Sequence, residues 1–129
     1  MIPKINVYED GLAWQTRAYH LAARQKEVRL MNQALNGTLF FVEIAVGGRI
    51  LPHSQPQTDL LFCIEGIGTL SLSKASTILK TGDMLQLPAD IVRGIVNEGQ
   101  QVLRLLVVRT EAEEEQVELK EWVRRWFRD

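Results

Sequence analysis

Residues 47–66 read GGRILPHSQPQTDLLFCIEG and contain an apolar run of strand length closed by glycine, a pattern that recurs on both sides of them. Leu60 to Ile64 is that run, and Glu65-Gly66-Ile67-Gly68 separates it from the next, Thr69 to Ser73. Toward the C-terminus, Ser76 to Leu79 ends at Thr81-Gly82-Asp83, Met84 to Leu87 at Pro88-Ala89-Asp90, and Val92 to Val96 at Asn97-Glu98-Gly99; Val102 to Val108 is the last run. Toward the N-terminus, Val28 to Met31 and Thr38 to Val46 flank Asn36-Gly37, a dipeptide that tolerates the positive φ angles of a tight hairpin, so a turn is expected there. Gly66, Gly68, Gly82 and Asn97 read as turn residues and Pro88 as the end of a strand. Runs so short, so rich in leucine and β-branched residues and so regularly punctuated predict an all-β sandwich or barrel over about 27–109. Every connection is short, which predicts antiparallel neighbours.

The two ends differ from this core. Leu12 to Gln25 mixes alanines, a tryptophan and spaced charges, compatible with a helix or an irregular edge. At the other end Thr110 and Glu113 have capping-box spacing, Glu111 to Glu115 put negative charge where a helix begins, and Arg124, Arg125 and Arg128 put positive charge where it ends. An amphipathic helix is predicted over about 111–128, with Leu119, Trp122, Val123 and Trp126 on one stripe and Phe127 beside it. Such a stripe packs on the barrel wall or on a second subunit, and a homodimer is the expectation. The chain reads as a single domain, 1–129.

Composition narrows the function. Fifteen Lys and Arg against sixteen Asp and Glu leave a net charge of -1, which gives no global field to hold nucleic acid or an anionic bilayer. No stretch is long and apolar enough for a signal peptide or a membrane span. Cys63 stands alone, so no intrachain disulfide forms, and a reducing cytoplasm is the expected compartment.

From about Gly47 to Val108 the chain resembles the cupin superfamily of small β-barrels. Gly47, His53-Ser54-Gln55, Asp59 and Gly66 stand at the spacings of the first cupin motif, where the family has Gly, His-x-His, Glu and Gly. Gly82, Pro88-Ala89-Asp90, Arg93 and Asn97 stand at those of the second, where it has Gly, Pro-x-Gly, His and Asn. The resemblance implies a small antiparallel barrel or jelly roll. It also implies a divalent transition-metal site whose four ligand positions are His53, Gln55, Asp59 and Arg93. Only His53 keeps the family's ligand. Gln55 offers a weak neutral oxygen, Asp59 a shorter carboxylate, and Arg93 has no lone pair and stays cationic.

Groups placed around one metal lie within a few ångströms of one another, so Asp59 and Arg93 are expected to meet in an ion pair that stands where the metal would be. Alternation agrees: Asp59, Leu61 and Cys63 share one face, as do Arg93, Ile95 and Asn97. Three functions are compatible with this sequence. The first is a metal-free small-molecule-binding cupin, in which Arg93 receives a carboxylate or phosphate beside His53, Gln55 and Asp59. The second is a metal-dependent enzyme of the isomerase or dioxygenase kind, with the ion on His53, Gln55 and Asp59. The third is a structural or assembly protein whose barrel is plugged. Cys63 reads as a small buried hydrophobe and His20 as a packing or surface residue. Arg104 faces either the interior or solvent.

Overall fold

The computed structural model describes residues 4–31 and 36–110. Eight strands carry the fold: β1 His20–Met31, β2 Asn36–His53, β3 Asp59–Glu65, β4 Ile67–Leu72, β5 Ala75–Lys80, β6 Met84–Leu87, β7 Arg93–Val96 and β8 Leu103–Thr110. All pairings are antiparallel, in the order β5-β4-β7-β2-β8-β3-β6 with β1 also on β2, and the sheet curls into a half-barrel. The all-β architecture is the one expected. Only β1 with β2 and β4 with β5 pair as consecutive strands; every other pairing joins strands distant in sequence.

β2 makes the curl possible because it belongs to both halves. Gly37 to Ile44 pair with β8, whereas Arg49 to His53 pair with β7. The corner between them is built on Gly47, at φ +80°, and Gly48, where a Cβ would lie 2.5 Å from the Ala22 carbonyl oxygen. Asn97 pins this corner. Its backbone exchanges hydrogen bonds with Gly47 and Gly48, and its side-chain amide donates to the Ile44 and Gln101 carbonyls at 2.9 Å each. Asn97 is thus a fully buried hub as well as a turn residue.

Inside the curl, Phe40, Val42 and Ile44 of β2 meet Leu61 and Cys63 of β3, Leu70, Leu79 and Leu87, Ile95 of β7, and Leu103, Leu105 and Val107 of β8. Fully burying side chains of this size stabilises by about 1.5–3 kcal/mol each. Cys63 is part of this core, as expected, and burial raises its thiol pKa above the ordinary value.

Several local expectations change. Asn36 and Gly37 do not form the hairpin turn: they pair with Met31 and Leu30 as part of the β1–β2 ladder. Glycine is needed at 37 because a Cβ there would lie 2.6 Å from the Arg109 carbonyl oxygen of the adjacent strand. Gly68 lies within β4, where a Cβ would meet Leu103 and the Val96 carbonyl below 3 Å. Leu12 to Gln25 contains no helix; its second half is β1, and Gln15 forms a bridge to Gln25. The predicted helix over 111–128, with its apolar stripe and any dimer contact, lies outside the described residues. No helix among the described residues is long and apolar enough to cross a membrane.

Candidate functional site

Strand ends converge at one end of the half-barrel. His53 closes β2, Asp59 opens β3, Arg93 opens β7 and Arg109 is next to last in β8; the register sets His53 opposite Arg93 and Asp59 opposite Arg109. Opposed residues on one face bring their Cβ atoms to about 5 Å, which suffices for the four side chains to form one cluster.

Asp59 is its centre. Arg93 donates from Nη2 to Oδ2 at 2.7 Å, Arg109 donates from Nε to Oδ1 at 2.9 Å and from Nη2 to Oδ2 at 3.0 Å, and Gln55 donates from Nε2 to Oδ2 at 2.6 Å. The expected Asp59–Arg93 ion pair is present and buried, with side chains 3% and 5% exposed. Arg109 extends it with a bidentate clamp, its guanidinium also lying 4.7 Å over the Phe40 ring.

Arg93 Nη1 is buried and makes no hydrogen bond among the described residues. An unmet buried donor costs about 1–3 kcal/mol, and more when the group is charged. Burial lowers the Arg93 pKa below the ordinary arginine value, while Asp59 works to raise it and Arg109 to lower it further; arginine nonetheless remains charged at physiological pH.

These groups line a cavity of about 60 Å³ whose other walls include Phe40, Val42, Leu61, Leu87, Ile95 and Val107. Tyr19 and His20 complete it from the start of β1. Tyr19 stacks on His53 with ring centroids 3.8 Å apart and meets His20 edge-on at 4.9 Å. His53 holds the Leu51 carbonyl through Nδ1 at 2.9 Å, so that nitrogen carries the proton. His20 does the reverse: its Nδ1 accepts the Arg17 backbone N–H at 3.0 Å, so the ring is neutral and its proton sits on Nε2. Burial is the main force pushing both histidines below their ordinary pKa, and Arg93 and Arg109 add to it at His53, against the Leu51 hydrogen bond and Asp59. With both rings neutral, the cavity holds two cations and one anion among the described residues.

His53, Asp59 and Arg93 all line the cavity, while Gln55 instead steadies Asp59 with its side chain and accepts the Asp90 backbone N–H at its backbone carbonyl at 2.7 Å. Arg104 faces outward, bonded to Glu43 and Glu65. His20, expected to be a packing or surface residue, is buried and lines the cavity.

The residues do not fit the divalent metal that the cupin resemblance implies. Three N–H donors converge on Oδ2 of Asp59 and one on Oδ1, so hydrogen bonds already occupy most of the carboxylate. The fourth ligand position is a guanidinium, a second guanidinium lies beside it, and His53 Nε2 is left as one neutral donor. An ion there would face two positive charges with one nitrogen to hold it.

Residues 40–109 match the Cupin_2 family model, described as a cupin domain, and the chain belongs to that family. Solved structures agree on the fold. The polyketide cyclase RemF from Streptomyces resistomycificus is 18% identical with a TM-score of 0.72, covering 84% of this chain and 79% of that one. A cupin-2 domain protein from Rhodospirillum rubrum is 15% identical with a TM-score of 0.68 over 92% of this chain and 88% of that one. A protein from Thermotoga maritima described as a predicted oxalate decarboxylase is 13% identical with a TM-score of 0.65 over 84% of this chain and all of its own, 100%. No curated protein sequence matches significantly.

Proposed function

We propose that this cupin is a metal-independent binding module for a small organic anion, a carboxylate above all. The observation that carries this reading is the buried, unpartnered Nη1 of Arg93, a residue that lines a cavity with two guanidiniums and one carboxylate. A plugged barrel would gain by pairing its buried charges one to one and leaving no donor unmet. A surplus cation with a free N–H suits an incoming carboxylate, which supplies the missing charge and accepts the orphan hydrogen bond. A cavity of about 60 Å³, far below the roughly 300–1,000 Å³ of drug-sized pockets, restricts the anion to a few heavy atoms. A sensor or regulatory role suits such a pocket. Among the similar structures are a polyketide cyclase and a protein described as a predicted oxalate decarboxylase; identity below 20% carries the fold to this chain and not those activities.

Titration of chelator-treated protein with acetate tests the proposal, read by calorimetry or by shifts of backbone amide resonances. Saturable one-to-one binding is expected, weakened about tenfold or more in Arg93→Met, since a hydrogen bond to a charged group contributes about 1.5–3 kcal/mol. Absence of saturable binding by acetate, formate and phosphate alike overturns it.

A further inference from the structure

Beside the arginine pair, the cavity has further polar groups that no ion pair uses: His20 and His53, whose rings both contact Tyr19. Each has its Nδ1 engaged by backbone, so Nε2 is the ring atom left for a ligand. The two backbone partners are of opposite kind. An N–H donates to His20 and a carbonyl accepts from His53, which makes Nε2 of His20 a donor and Nε2 of the neutral His53 an acceptor.

Building on the carboxylate reading, we infer that the ligand is a small 2-hydroxycarboxylate, its carboxylate at Arg93 and Arg109 and its hydroxyl between His20 and His53. A hydroxyl both donates and accepts, so it satisfies both ring nitrogens. A keto oxygen only accepts and leaves His53 unmet. An ammonium only donates, leaves His20 unmet, and adds a third cation to a cavity that already has one in excess. A methyl group in that place meets neither. A second carboxylate would be received by the His20 N–H but repelled by the His53 lone pair. Sites built to hydrogen-bond a hydroxyl discriminate strongly against analogues lacking it, because their own polar groups are then left unpaired.

The test is a titration of chelator-treated protein with acetate, glycolate and glycine, three acids of nearly the same size that differ in the group on the second carbon. Glycolate is expected to bind about tenfold tighter than acetate, the equivalent of about one to two net hydrogen bonds, and glycine is expected to bind more weakly than acetate. In His53→Phe, which keeps an aromatic face for Tyr19 and removes the acceptor, the ratio of glycolate to acetate affinity should fall toward unity. Equal binding of acetate and glycolate by the wild-type protein overturns this inference and leaves the carboxylate reading standing; glycine as the tightest ligand, or a glycolate preference unchanged in both His53→Phe and His20→Phe, also overturns it. Failure of all three acids to bind brings down both. The wild-type ratio needs no variant, so a substitution that impairs folding does not blunt the test.

Discussion

Two clusters of arginine and carboxylate share strands β3 and β8 and meet opposite fates. On the outer face, Arg24 of β1, Glu43 of β2, Arg104 of β8 and Glu65 of β3 form a ladder in register across four strands, each cation bonded to a carboxylate. On the inner face, Arg93 of β7 and Arg109 of β8 converge on Asp59 of β3. The ladder is balanced, two against two, and its arginines are 51% and 29% exposed, so water solvates what the ion pairs leave over. The inner cluster is two against one, and Asp59 and Arg93 are almost wholly excluded from water. A balanced surface ladder contributes modestly and asks for nothing more. A buried, unbalanced one leaves a charge and a donor unmet at a cost in stability, which an anionic ligand would offset under the proposed function.

The comparison breaks most visibly at the two carboxylates. Asp59→Ala leaves the buried Arg93 guanidinium against that of Arg109 with no anion between them and should cost about 3–5 kcal/mol, measured by chemical denaturation, whereas Glu43→Ala should cost clearly less, because the two arginines it frees are open to water. Added acetate should return part of what Asp59→Ala loses, since it binds the folded state in place of the missing carboxylate; it should do nothing for Glu43→Ala. Equal costs at the two positions would erase the distinction between the clusters.

Arginines of one strand sharpen it further. Arg109→Met should weaken acetate binding about tenfold or more, while Arg104→Met, on the other face of β8, should leave it within about a factor of two and cost about 1 kcal/mol or less of stability. Indifference of binding to Arg109 would confine the site to Arg93.

A smaller effect is the response to pH. The folded-state pKa values of His20 and His53 lie below the ordinary value, about 6.5 in an unfolded chain. Above that pH neither state takes up protons at these rings and stability is at its full value; as pH falls through about 6.5 the unfolded chain is protonated first, so stability declines until the folded-state values are reached. The melting temperature should therefore drop between neutral and mildly acid pH, and less steeply in His53→Gln. A rise on acidification would mean that Asp59 outweighs burial and the two guanidiniums at His53.

Much of this inner cluster was legible in the sequence, because motif spacing and strand parity act on the same residues. The spacings of His53, Asp59 and Arg93 placed three side chains in one region, and the two-residue alternation on Asp59, Leu61, Cys63 and on Arg93, Ile95, Asn97 gave the buried faces correctly. Arg109 was missed although its signal was there: Arg104 and Arg109 differ in parity within one strand, so one of them must point inward whichever way the strand lies. Tyr19 and His20 were hidden for a physical reason. β1 carries an irregularity at Ala22, which sits at φ 52°, so the buried positions His20, Ala23 and Gln25 break the two-residue period that would have declared a strand. The hairpin at Asn36-Gly37 misled in the opposite sense, since a glycine chosen for close approach to β8 looks in sequence like one chosen for a turn.

The central claim is that the Arg93 and Arg109 guanidiniums occupy the role the family gives to a metal ion. Elemental analysis of untagged protein, incubated with manganese, iron, nickel, copper or zinc and then dialysed without chelator, tests it most directly. Folded protein carrying only trace metal is expected, with acetate binding unchanged by the incubation. Metal retained at close to one ion per chain, and lost in His53→Ala, would contradict it.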